Sequence, residues 1–164
     1  MNNTLIIFDF NKKSDVSNWE VVDDVVMGGC SSGHFKLNSD GYGVFEGTVS
    51  LENNGGFSLV RYRFNKLEIS KFKKIKLRIK GDGKKYQLRL KSDKYDQQSY
   101  VAYFQTTNEW QTVEIALQNL QPFFRGKKLN MHNYPAILVE EIGFLLGNKQ
   151  SESFKLLLTK IGLE

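Results

Sequence analysis

The chain has 164 residues, 40% of them hydrophobic, and a formal charge of +5 at pH 7. That size suits one domain with a full core, and two Pro against 12 Phe and 7 Tyr exclude a Pro-rich linker or a disordered tail. No apolar run reaches the roughly 18 residues of a membrane span, and Cys30, the single cysteine, excludes an internal disulfide.

Leu5 to Phe10 reads as a first strand, with Phe8 and Phe10 on one face. Trp19 to Val22 is strand-like and runs through Asp23, Asp24 and a Met27 of buried type into a Gly/Ser-rich loop ending at Gly33. Tyr42 to Ser50 alternates as a strand should. A second unusual loop, Glu52-Asn-Asn-Gly-Gly-Phe57, leads into a half-exposed strand from Phe57 to Phe64 that carries Arg61 and Arg63. In Lys73 to Lys80, Ile75, Leu77 and Ile79 point one way and Lys74, Lys76, Arg78 and Lys80 the other. Gly81-Asp-Gly83 then supplies turn chemistry, and Tyr86 to Lys91 alternates again. The expected product is a β-hairpin with one greasy face and one cationic face. Ser99 to Gln105, Gln111 to Leu117, Glu141 to Leu146 and Phe154 to Ile161 are further strands, and Asn133 to Glu140 holds a short helical turn with Pro135 in it. About ten short strands separated by Gly, Asn and Asp turns predict an all-β, antiparallel β-sandwich forming a single domain over residues 1–164.

An ordered set of residues gives this pattern a more specific meaning. It comprises Trp19, Asp24-Val-Val-Met-Gly-Gly29, Ser31, Gly33, Phe45-Glu-Gly47, Glu52 to Phe57 with Arg61, Gly81-Asp-Gly83 with Tyr86 and Arg89, Trp110, Phe123, Arg125-Gly126 and Ile142-Gly-Phe144. In that order they resemble the complex I intermediate-associated protein 30 family over nearly the whole chain. The resemblance implies a jelly roll of the galactose-binding-domain-like type, and a non-catalytic domain that in mitochondria assists assembly of respiratory complex I. The N-terminus lacks the charged and apolar pattern of a targeting segment, so a free-standing bacterial, cytoplasmic member is expected.

The residues themselves allow two readings of Asp23 and Asp24. They form a carboxylate pair for metal or acid/base work, or they accept backbone N–H bonds or pair with Arg61 to fix a loop. The second reading is preferred, and a structural calcium stays open. Neither Gly28-Gly29 nor Gly55-Gly56 has phosphate-loop spacing. His34 and His132 lack a third ligand for zinc, and nothing near Cys30 activates its thiol. Ser31, His132 and Asp24 make a triad only on paper, with no nucleophile elbow. No cofactor, no metal and no catalysis are therefore expected.

The cationic side chains of residues 73–91 could meet phosphates, acidic glycans or an acidic protein surface. The plainer reading, a solvated face that discourages edge pairing, is preferred, and nucleic acid is disfavoured for want of interleaved aromatics. In Ser99 to Gln105, Val101, Tyr103 and Gln105 share one side and Tyr100, Ala102 and Phe104 the other. Most of these rings fill the core, with one or two left for a ligand. The expected function is a non-enzymatic binding domain that engages another protein as an assembly or scaffolding factor. Its candidate binding residues are Asp24, Asn54, Arg61, Arg89, Tyr100, Tyr103 and Arg125. The alternative is a carbohydrate-binding module using Tyr100 or Tyr103 with Trp110, Arg89 and Gln105.

Overall fold

The structure, a computed structural model, describes residues 4–24 and 28–164, with every side chain among them except that of Asn54. Met27 therefore lies outside the described residues. The strands are β1 (Leu5–Asp9), β2 (Trp19–Asp23), β3 (Ser32–Leu37), β4 (Gly43–Val49), β5 (Ser58–Glu68), β6 (Lys74–Lys80) and β7 (Lys85–Lys91), then β8 (Ser99–Gln105), β9 (Trp110–Ala116), β10 (Gln121–Phe124), β11 (Lys127–Lys128), β12 (Leu138–Leu146) and β13 (Glu152–Leu163). They form two antiparallel sheets. One is ordered β3-β4-β13-β6-β9, with β1 also on β13; the other is ordered β11-β10-β8-β7-β12-β5-β2. No described helix is long and apolar enough to cross a membrane.

The core lies between the sheets and follows from alternation. Ile75, Leu77 and Ile79 of β6 face inward from the six-stranded sheet, and Tyr86, Leu88 and Leu90 of β7 face inward from the other. β13 shows how a long strand keeps its apolar face in the core. Phe154, Leu156 and Leu158 point in, a bulge at Thr159 shifts the phase by one residue, and Ile161 and Leu163 point in beyond it. At one end Trp19 lies between Phe35 and Tyr62, with ring centroids 4.9 and 5.0 Å away, and Phe8 and Phe10 close the cluster.

The hairpin expected over residues 73–91 does not form. β6 pairs with β13 and β9, β7 with β12 and β8, so the two strands belong to opposite sheets. A hairpin would have laid both apolar rows side by side on one face. The observed crossing sets them against each other across the core, where both are fully buried. Gly81 permits the crossing because its Cα lies against Thr106, where a Cβ would collide. Asp82 fastens it, accepting the Tyr86 hydroxyl at 3.1 Å and the Lys155 N–H at 2.8 Å.

Two other expectations change. Residues 133–137 form no helical turn: their backbone bonds run outward, Tyr134 N–H to Leu120 O and Ile69 N–H to Ile137 O, each within 2.9 Å, and β12 starts at Leu138. β3, β10 and β11 were not anticipated, because Ser32-Gly-His34 and Pro122 are poor strand formers held by pairing with neighbours. Arg125-Gly126, with φ of 50° and 78°, makes the two-residue turn between β10 and β11.

Leu77→Ala and Leu88→Ala should each cost about 3 kcal/mol in chemical denaturation, since each truncates a fully buried side chain. A much smaller loss at one of them would contradict the facing arrangement of β6 and β7.

Candidate functional site

Both loops singled out in the sequence converge on one carboxylate. Asp24, 0% exposed, follows β2 directly. Its Oδ1 accepts the Ser31 N–H at 2.9 Å, and its Oδ2 accepts the Ser31 hydroxyl and the N–H groups of Gly56, at 2.6 Å, and Phe57, at 3.3 Å. Burial pushes the Asp24 carboxyl up, but these bonds outweigh it and hold it below its ordinary value. The glycines have a local reason: a Cβ on Gly29 would lie 2.4 Å from the Asp24 Cγ, and one on Gly55 2.5 Å from its Oδ2. Asp23 makes a second tie, accepting the Gly33 N–H of β3 at 2.9 Å and the Ser58 hydroxyl of β5. That tie joins the two sheets at this end. The loop-fixing reading of the aspartates describes this geometry, except that Arg61 is not a partner of either. Asn54 ends a short helical turn at Glu52–Asn54, and its side chain lies outside the described residues. Among the described residues no group of three His, Cys, Asp or Glu is placed to hold a metal ion.

The cationic rows face opposite sides of the sandwich and differ in character. On β6, Lys74 and Lys76 share Glu114 and Glu164 at 3.1–3.6 Å, and Arg78 donates to Thr112. On that side Lys74 and Lys76 are neutralised by two acids, while Arg78 meets a hydroxyl. The outer face of the seven-stranded sheet is more enclosed: Ser99, Val101, Glu141 and Leu145 point outward, yet each is less than a tenth exposed. One row across it reads Gln121, Val101, Arg89, Gly143, Arg61, Glu20, from β10 to β2. The row on one side holds Tyr103, Gln87, Leu145, Leu59 and Val22; on the other, Lys91, Glu141 and Arg63.

The charges in these rows are unequally matched. Arg63 Nε donates to the buried Glu141 at 2.7 Å, and Arg61 pairs with the exposed Glu20 at 3.1 Å. Lys91 donates to the Asp96 carbonyl, and Arg89 to the Gln87 amide oxygen at 2.8 Å. Burial lowers the pKa of both Arg89 and Lys91, against the pull of Glu141, and the neighbouring Arg63, Arg61 and Arg89 lower that of Lys91 further.

The structure thus brings Arg61, Arg89, Tyr103 and Gln105 onto one face and separates the remaining candidates. Tyr103 is 51% exposed with the Lys85 ammonium 4.9 Å from its ring centroid. Tyr100, of opposite parity, is 5% exposed and packs on Tyr134 in the core. Trp110 belongs to the six-stranded sheet, against Tyr42. Arg125 projects from the β10–β11 turn over Phe124. Arg63, Gln87 and Gly143 are not among the sequence candidates, and Lys91 enters there only as part of the cationic run over residues 73–91. Their alternation was visible, but not that β5, β12 and β7 are neighbours.

A model of the Complex I intermediate-associated protein 30 (CIA30) family matches residues 8–158, and the chain belongs to that family. Complex I intermediate-associated protein 30, mitochondrial, of Mus musculus is 24% identical, and the match covers 99% of this chain and 57% of the mouse protein. The chain therefore spans little more than half the length of that relative. Among solved structures, the family 11 carbohydrate-binding module of a cellulosomal cellulase from Clostridium thermocellum superposes with a TM-score of 0.74 at 17% identity, covering 98% of this chain and 94% of the module. A family 11 module from the same organism, in complex with a β-1,3-1,4-mixed-linked tetrasaccharide, gives 0.67 at 18%, with the same coverage. These likenesses establish the jelly-roll sandwich of the galactose-binding-like type.

Asp24→Asn should destabilise the fold by about 3 kcal/mol at pH 7, because an amide N–H2 must face N–H donors that now meet a charged oxygen. With the folded pKa held below the unfolded one, Asp24 contributes fully above about pH 4, and the contribution is lost as pH falls below that. The melting-temperature gap between wild type and variant should accordingly narrow on acidification. A constant gap would show that the charge contributes nothing.

Proposed function

We propose that this member of the CIA30 family is a non-catalytic binding domain that holds another protein on the outer face of its seven-stranded sheet, as an assembly or scaffolding factor. The observation that carries the reading is the half-buried Arg89. Among the described residues its guanidinium makes one hydrogen bond, to Gln87, and it lies beside the bare backbone of Gly143 in the middle of the face. Arginines partly desolvated in this way are the groups that anchor protein partners. The name of the mouse relative supports an assembly partner of the complex I type. Asp24, whose carboxylate accepts from Ser31, Gly56 and Phe57, is buried and committed to the two loops, which supports a structural rather than catalytic use.

A second reading has its own support. Tyr103 offers an exposed ring flanked by Gln87, Gln105 and Arg89, an arrangement that can stack on a sugar and hydrogen-bond its hydroxyls. The fold shared with carbohydrate-binding modules agrees with it.

A photo-crosslinking residue placed at Tyr103, or at the exposed Thr112 of the opposite sheet, separates these readings in the source cell. A defined protein adduct at position 103, absent at 112 and abolished by Arg89→Gln, is the expected result. Equal adducts at both positions, or none, would count against a partner on this face.

A further inference from the structure

Five cations, Arg61, Arg63, Lys85, Arg89 and Lys91, point outward from β5 and β7, and in the same rows only Glu20 and Glu141 oppose them among the described residues. The acids at the nearby loop are committed elsewhere. Asp93 holds Lys66 and the Tyr95 N–H, Asp96 the Asp93 N–H, and Glu140 the Lys94 N–H.

These cations are not equivalent. Arg63 is closed off by its short bond to buried Glu141. Arg61 is held by Glu20, whose side chain is 60% exposed, and such an exposed pair is easily exchanged. Arg89 has most of its donor fork without a partner among the described residues. Gly143 separates Arg61 from Arg89 in their row, so their backbones stand about 10 Å apart across two strand spacings. Carboxylates two residues apart on an extended peptide are about 7 Å apart, a difference that flexible Arg and Glu side chains span. Guanidinium and carboxylate match as bidentate partners, and an anionic ligand would relieve the mutual repulsion of this group, where a neutral one would not.

We propose that the partner presents an acidic segment, and that two of its carboxylates seat on Arg89 and Arg61 across the bare strip at Gly143. This rests on the outer face being the binding site, and it assigns the chemistry of what binds there.

The test is calorimetric titration of the full chain with hexaglutamate, hexalysine and a neutral mixed-linked tetrasaccharide, at low and at moderate salt. Hexaglutamate alone should bind, more weakly as salt rises. Arg89→Gln should weaken it at least about tenfold, while Arg78→Gln on the opposite sheet should leave it unchanged. Glu20→Gln, which frees Arg61, should tighten binding by about threefold, and it decides the matter if Arg89→Gln lowers the melting temperature. Equal weakening by Arg78→Gln and Arg89→Gln would reduce the effect to general basicity and overturn the proposal. Hexaglutamate that fails to bind while the adduct at position 103 persists would end the acidic-segment inference and leave the protein-binding reading standing. A tetrasaccharide that binds and suppresses that adduct would end both.

Discussion

Asp24 keeps a buried charge because four hydrogen bonds converge on it from two segments distant in sequence, the turn at Ser31 and the loop at Gly56 and Phe57. An unpaired carboxylate in that position would cost several kcal/mol. Each bond therefore also specifies where its donor must stand. With Asp23 gripping β3 and β5 next to it, the pair sets the end of β2, the start of β5 and the crossing between the sheets. The glycines around Asp24 follow from this: Gly29 and Gly55 come so close to the carboxylate that no side chain fits. The carboxylate that the sequence offers for binding fastens one end of the sandwich.

The fastened β5 pairs along its length with β12, and the outer face depends on this neighbourhood. Arg61 and Arg63 come from β5, Gly143 and Glu141 from β12, Arg89 and Lys91 from β7. The face is enclosed enough to depress the pKa of Arg89 and Lys91, whereas Lys76 on the opposite side is raised by its bonds to Glu164 and Glu114. Burial outweighs the pull of Glu141 at Arg89 and Lys91, and acid neighbours outweigh burial at Lys76. Strand alternation alone makes the two rows look alike.

The sandwich is shared with carbohydrate-binding modules at 17–18% identity, a level at which the architecture carries over and the surface chemistry does not. Here the outer face combines one exposed tyrosine with several arginines, and the other rings considered from the sequence are elsewhere. Tyr100 is in the core and Trp110 is on the other sheet. One exposed ring beside several cations is what weighs the proposal toward a protein partner rather than a sugar.

The all-β class, most of the strands and the parity of side chains within the regular strands were legible in the amino-acid order, because alternation is a local property that burial on one face imposes. Tyr103 outward and Tyr100 inward follow from parity once one face of β8 is known to be the core. The role of Asp24 was legible in kind, since an Asp among glycines and serines commonly holds backbone N–H groups. What alternation cannot encode is the neighbour across a strand edge. It left β6 and β7 as a hairpin, though burying Ile75, Leu77 and Ile79 against Tyr86, Leu88 and Leu90 required opposite sheets. It missed β3 and β10, which hold together by pairing rather than propensity. It also could not assemble Arg61, Gly143 and Arg89 into one row, because their meeting depends on β12, which follows β7 only after four other strands, inserting between two strands that precede it.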